Sequence, residues 1–119
     1  MSYPFLFRTP GVGPLAEEVD DERARQIAKF GDQHHPDGTG GEQFARDADL
    51  ARSTCQTAAR GGRVDWRLIL DEEVHEAYAE SDPVRLRTEL LQVIAVGFAW
   101  IADIDSRPAG APQELASDG

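Results

Sequence analysis

The chain has 119 residues, with 22 acidic against 12 basic side chains, a net charge of −10 and a hydrophobic share of 40%. That length supports one domain with a small core, so association with further copies is a natural way to cover apolar surface. The acidic balance argues against nucleic acid as a partner, since phosphate backbones are held by Lys and Arg, and equally against an anionic membrane surface.

Residues 1–14 hold Pro4, Pro10, Gly11, Gly13 and Pro14, and read as an irregular arm without the basic start of an export signal. Helical spacing then runs from Leu15 to Phe30, with Leu15, Val19 and Ile27 on one face and Gly31 as the stop. DQHHPDGTGG at 32–41 is a loop by its Gly and Pro content. A second helix is expected over 42–60, with Phe44, Ala48, Ala51, Cys55 and Ala58 in register and Gly61-Gly62 closing it. A third runs from Val64 or Asp65 to Glu80. Asp82 caps a fourth, with Pro83 at its first position, where a missing N–H costs nothing. This helix reaches about Asp105 and stops before Arg107-Pro108.

The longest apolar run, Leu90–Ala102, is 13 residues interrupted by Gln92. A bilayer needs roughly 20, so the run reads as a buried helix. Residues 107–119 read as a disordered tail. With no strand alternation anywhere, the expectation is an all-α, four-helix bundle-like domain over 15–106 that oligomerises through its last helix. The lone Cys55 excludes an internal disulfide or a cysteine-built zinc cluster. It is expected to be a small buried residue in a reducing, cytoplasmic setting.

The third helix carries the functional signal. Trp66, Ile69, Glu73, Glu76 and Glu80 recur at intervals of three and four, so one stripe begins apolar and becomes acidic while facing the core. On the fourth helix Glu89 falls between Val96 and Trp100 on the helical wheel, with Gln92 at the edge of that apolar region. Buried carboxylates are costly unless protons or cations neutralise them, and Mg²⁺ or Mn²⁺ prefers oxygen ligands. Two antiparallel helices bearing such pairs build a metal cage. The competing reading is a solvated acidic face paired with nearby Arg. Trp66 and Trp100 read as core residues and His75 as solvent-facing. Gln33 and His34 in the loop suit either a base edge or ordinary turn chemistry.

EEVHE at 72–76, twelve intervening residues and ELLQ at 89–92 resemble the EExxE…ExxD signature of the MazG-like, all-α NTP pyrophosphatases. The surrounding 65–101 segment is similar in helix order and apolar spacing, and ERARQIAKFGDQHHPDGTG at 22–40 is similar to the opening of a bacterial and phage subgroup. The resemblance implies Mg²⁺-dependent hydrolysis of a nucleoside triphosphate to monophosphate and pyrophosphate by a homodimer or homotetramer. It places Glu73, Glu76 and Glu89 on the metal and Glu72 as an assisting catalytic group. Lys29, in the similar block, becomes a catalytic cation; Arg25 by its charge, and Gln33 and His34 by their donors and acceptors, are the candidates toward substrate. Gln92 stands where the family pattern has Asp; its amide can ligate but brings no charge. Two rival readings follow, a non-hydrolytic nucleotide-binding or regulatory protein of the same fold, and an acidic interaction protein that mimics nucleic acid.

Overall fold

The computed structural model describes residues 7–109. Four helices follow in order, α1 Val12–Phe30, α2 Glu42–Arg60, α3 Trp66–Ala79 and α4 Pro83–Ser106, with no strand among the described residues. The chain divides into two compact units, Met1–Asp37 and Gly38–Gly119. The expected arm is shorter than its Gly and Pro content suggested, because α1 begins at Val12. Pro14 sits in the first turn, where backbone N–H groups have no intrahelical partner to lose. Residues 1–6 of that arm, and the expected tail from 110 onward, lie outside the described residues.

The first unit holds α1, whose Leu15 is buried while Val19 and Ile27 are exposed. Gly31 ends the helix at φ 72°, its N–H donating to the Ile27 carbonyl at 2.8 Å.

In the second unit α3 is the middle helix, packed against α2 on one side and α4 on the other. The buried face of α2 is built from Ala48, Ala51, Cys55 and Ala58, small side chains at helical spacing that let the helices approach closely. Its partners on α3 run in the opposite sense. Phe44 meets Tyr78 at 5.9 Å between ring centroids, and Arg52 reaches Glu76. The α2–α3 pair is therefore antiparallel, and so is α3–α4, where Trp66 meets Trp100.

Caps fix these lengths. Asp65 accepts from the Leu68 N–H at 2.8 Å to start α3, and Asp82 accepts from the Arg85 N–H at 3.4 Å to start α4 behind Pro83. Glu80, expected inside α3, is instead its extended C-cap, with φ −90° and ψ 123°. The preceding loop is pinned there as well. Gly40 N–H donates to Tyr78 O at 2.8 Å, and Thr39 Oγ1 donates to Glu80 O at 2.6 Å. Gly40 has φ 93°, and a Cβ there would lie 2.8 Å from Ser81 Cβ, so this crossing requires glycine.

Helix α4 differs from the sequence expectation of burial on several sides. Leu86 is buried, but Leu90, Leu91, Ile94, Ile101 and Ile104 are exposed. Its apolar run exceeds what packing on α3 covers. No helix among the described residues is long and apolar enough to cross a membrane.

Candidate metal centre

The stripe on α3 and the antiparallel return through residues 80–82 bring Glu73, Glu76 and Glu89 together. One carboxylate oxygen from each lies within 4.8 Å of the others, and all three residues are half-buried. Glu73 and Glu76 are neighbours because a three-residue step returns to the same helix face. Glu89 arrives from α4.

The electrostatics match this crowding. Burial holds the Glu73 carboxyl above its usual range, and the negative charges of Glu76, Glu72 and Glu89 push it further up. Burial also raises Glu89, helped by Glu76 and Glu80 and opposed by Arg52. In both groups the fold disfavours the charged form, the situation that a proton or a cation relieves.

Two neighbours already supply part of that relief. Arg52 on α2 donates to Glu76 Oε1 from Nε at 3.3 Å and Nη2 at 3.2 Å, and to Asp49 Oδ1 at 3.0 Å. Gln92, with its amide nitrogen turned toward the carboxylates, donates to Glu73 Oε2 at 2.9 Å and Glu89 Oε2 at 3.1 Å. The Gln92 amide thus bridges α4 to α3 by donating from nitrogen, the opposite polarity to the oxygen ligand expected at 92.

An all-oxygen donor set fits a hard divalent cation. Ligand oxygens around Mg²⁺ sit about 2.1 Å from the ion and hence at most about 4.2 Å apart, while Ca²⁺ allows about 5 Å. The three carboxylate oxygens lie within 4.8 Å of one another, a spread such a cation can gather. Glutamate side chains, with three torsions each, can adjust to the ion by small rotations.

The other expected site residues have different surroundings. Glu72 faces Cys55 on α2, whose thiol is pushed up first by burial and then by this carboxylate. Lys29, Arg25, Gln33 and His34 belong to the first unit and make local contacts there. Lys29 Nζ lies 5.2 Å from the centroid of the Phe30 ring, Arg25 pairs with Glu22 at 2.7 Å, and His34 meets Asp32 at 2.9 Å. Gln33 Nε2 lies 3.4 Å from His35 Nε2. His75 is half-buried rather than solvent-facing, its Nδ1 lying 2.8 Å from Asp71 O and its ring packing against Tyr78 at 6.1 Å.

Arg52 was missed in the sequence, although the spacing 48, 52, 55 places it on the buried face of α2. The Trp pair also differs from expectation. Trp66 and Trp100 do touch, but both are only half-buried, and Trp66 Nε1 donates to Asp103 Oδ2 at 2.8 Å.

Fold and site together define an all-helical protein with a three-carboxylate cluster between antiparallel helices. Compared with models of protein families, with curated proteins and with solved structures, the chain matches none.

Proposed function

We propose that this chain is a metal-dependent nucleoside triphosphate pyrophosphohydrolase of the MazG-like kind, releasing a nucleoside monophosphate and pyrophosphate. The observation that carries the reading is the convergence of Glu73, Glu76 and Glu89 within 4.8 Å, from an i, i+3 pair on α3 and its antiparallel neighbour. The order of the two acidic blocks and the resemblance of residues 22–40 and 65–101 add to it.

In this reading Glu73, Glu76 and Glu89 hold Mg²⁺ or Mn²⁺, with the Gln92 amide turning its oxygen inward as a neutral fourth donor. A bound ion of this kind would neutralise phosphate oxygens and lower the pKa of a water molecule. Glu72 assists by orienting that water. Positioning and charge neutralisation are the main requirements of phosphoryl chemistry. The exposed Leu90, Leu91, Ile94, Ile101 and Ile104 on α4 support assembly of two or four copies through that helix. The lone buried thiol suits a cytoplasmic setting.

A second reading has its own support. Gln92, where the family pattern has Asp, brings no charge and cannot act as a base, which suits a nucleotide-binding protein that does not hydrolyse. Pyrophosphate release from a panel of NTPs and dNTPs with Mg²⁺ or Mn²⁺ separates the two. Turnover abolished by Glu73→Ala is expected. Absence of turnover with Mg²⁺-dependent nucleotide binding would replace the first reading by the second. Absence of both would leave an acidic interaction protein.

A further inference from the structure

The carboxylate cluster occupies one stretch of the α3–α4 seam, and a different chemistry occupies the next. Trp66 lies on the same α3 stripe as Glu73, seven residues earlier, or about 10 Å along the helix. Its ring stacks with Trp100 of α4 at 6.4 Å between centroids and 12° between planes. At that separation near-parallel rings are offset, so neither fully covers the other. Both residues remain half-exposed.

The orientation of Trp66 is held at its polar edge. Its Nε1–H donates to Asp103 Oδ2 at 2.8 Å, and Arg107 Nη2 donates to the same oxygen at 3.4 Å. These hydrogen bonds keep the Asp103 carboxyl below its usual range, so it stays an acceptor near neutral pH. The end of the seam therefore presents a held indole surface, a carboxylate with its second oxygen available and a guanidinium at the rim. Flat heteroaromatic rings bearing amino and carbonyl groups match this combination, through stacking and edge hydrogen bonds.

We propose that Trp66 and Trp100, with Asp103 and Arg107 at their edge, form the subsite for the nucleobase of the substrate, one nucleotide length along the seam from the carboxylates. The inference rests on the nucleotide reading above and gives it a direction, with phosphates toward Glu73 and base toward Trp66.

Trp66 and Trp100 are the only tryptophans in the chain, so indole emission reports on this pair alone. Titration with ATP, GTP, CTP and UTP in Mg²⁺ is expected to quench it, with purines stronger. Tripolyphosphate, which lacks a base, is expected to leave it unchanged. Adenosine in EDTA is expected to quench at higher concentration, because the subsite acts on the base itself. Trp100→Leu and Trp66→Phe are expected to raise KM, the former about tenfold through lost stacking. Circular dichroism first verifies that each variant is folded, and the wild-type titration stands if neither is.

Quenching by nucleotides no greater than by tripolyphosphate would overturn the proposal, as would an unchanged KM in folded Trp100→Leu. Glu73-dependent turnover without quenching removes the base subsite and leaves the hydrolase reading intact. Quenching by adenosine without turnover of any nucleotide does the reverse.

Discussion

Replacing Glu73 by Gln removes one charge from the carboxylate cluster while keeping side-chain length and an oxygen that can accept from Gln92. At the outer bound of the cluster, 4.8 Å, two unit charges repel by about 3.5 kcal/mol at an effective dielectric of about 20, and by about 0.9 kcal/mol in water. Because these carboxylates are partly solvated, the lower end applies, about 1 kcal/mol for each of the repulsions with Glu76 and Glu89. Glu73→Gln is thus expected to stabilise the metal-free protein by about 2 kcal/mol at pH 7, or about 10 °C in Tm for a domain of this size. Mg²⁺ should close the gap, since an ion at a hundred times its Kd stabilises the wild type by about 2.7 kcal/mol and binds the depleted cluster far less.

The pH dependence has a definite sign. Glu73 and Glu89 titrate above the ordinary glutamate value of 4.5, so the folded state binds their protons more tightly than the unfolded chain does. Their stabilising contribution is present below that value and is lost as pH rises through the elevated folded range. The advantage of Glu73→Gln should therefore shrink on acidification from pH 7 toward pH 4.5. Thermal unfolding in EDTA and in Mg²⁺ at several pH values measures all three effects. A metal-free Glu73→Gln protein less stable than wild type, or equal Mg²⁺ shifts in both, would refute the reasoning.

Gln92→Asp restores a fourth carboxylate. It is expected to tighten Mg²⁺ binding by isothermal calorimetry while lowering Tm in EDTA, because it replaces a donor to Glu73 and Glu89 by a like charge. Gly40→Ala places a methyl 2.8 Å from Ser81 Cβ at φ 93° and is expected to cost at least about 1 kcal/mol in urea unfolding, from strain and overpacking. Asp65→Ala removes the acceptor for the Leu68 N–H and should cost about 1 kcal/mol by the same assay, with Asp65→Ser recovering most of it.

The helices were legible where local chemistry decides them. Gly41 and Gly61 bracket α2 at the limits its spacing predicts, and Asp82-Pro83 opens α4 as expected. The start of α1 was not, because Gly11, Gly13 and Pro14 read as loop by composition although a first helical turn tolerates them. Intervals of three and four were enough to place Glu73 and Glu76 on one face. Arg52 was overlooked because the partner that draws it inward, Glu76, lies 24 residues away on another helix. Spacing similarly assigned Trp66 and Trp100 to the core. How much of an aromatic stays uncovered depends on where its neighbouring helix ends, which a one-helix pattern does not contain.

The single thiol gives the α2–α3 contact a built-in reporter. Cys55 is 7% exposed, and its proton is held both by burial and by the adjacent Glu72 carboxylate. Alkylating reagents require a thiolate and a path to it, and the closed helices withhold both. The rate at which such a reagent marks the native protein therefore counts how often α2 lifts from α3. Any ligand that tightens the carboxylate seam would register as slower labelling at a residue it never touches.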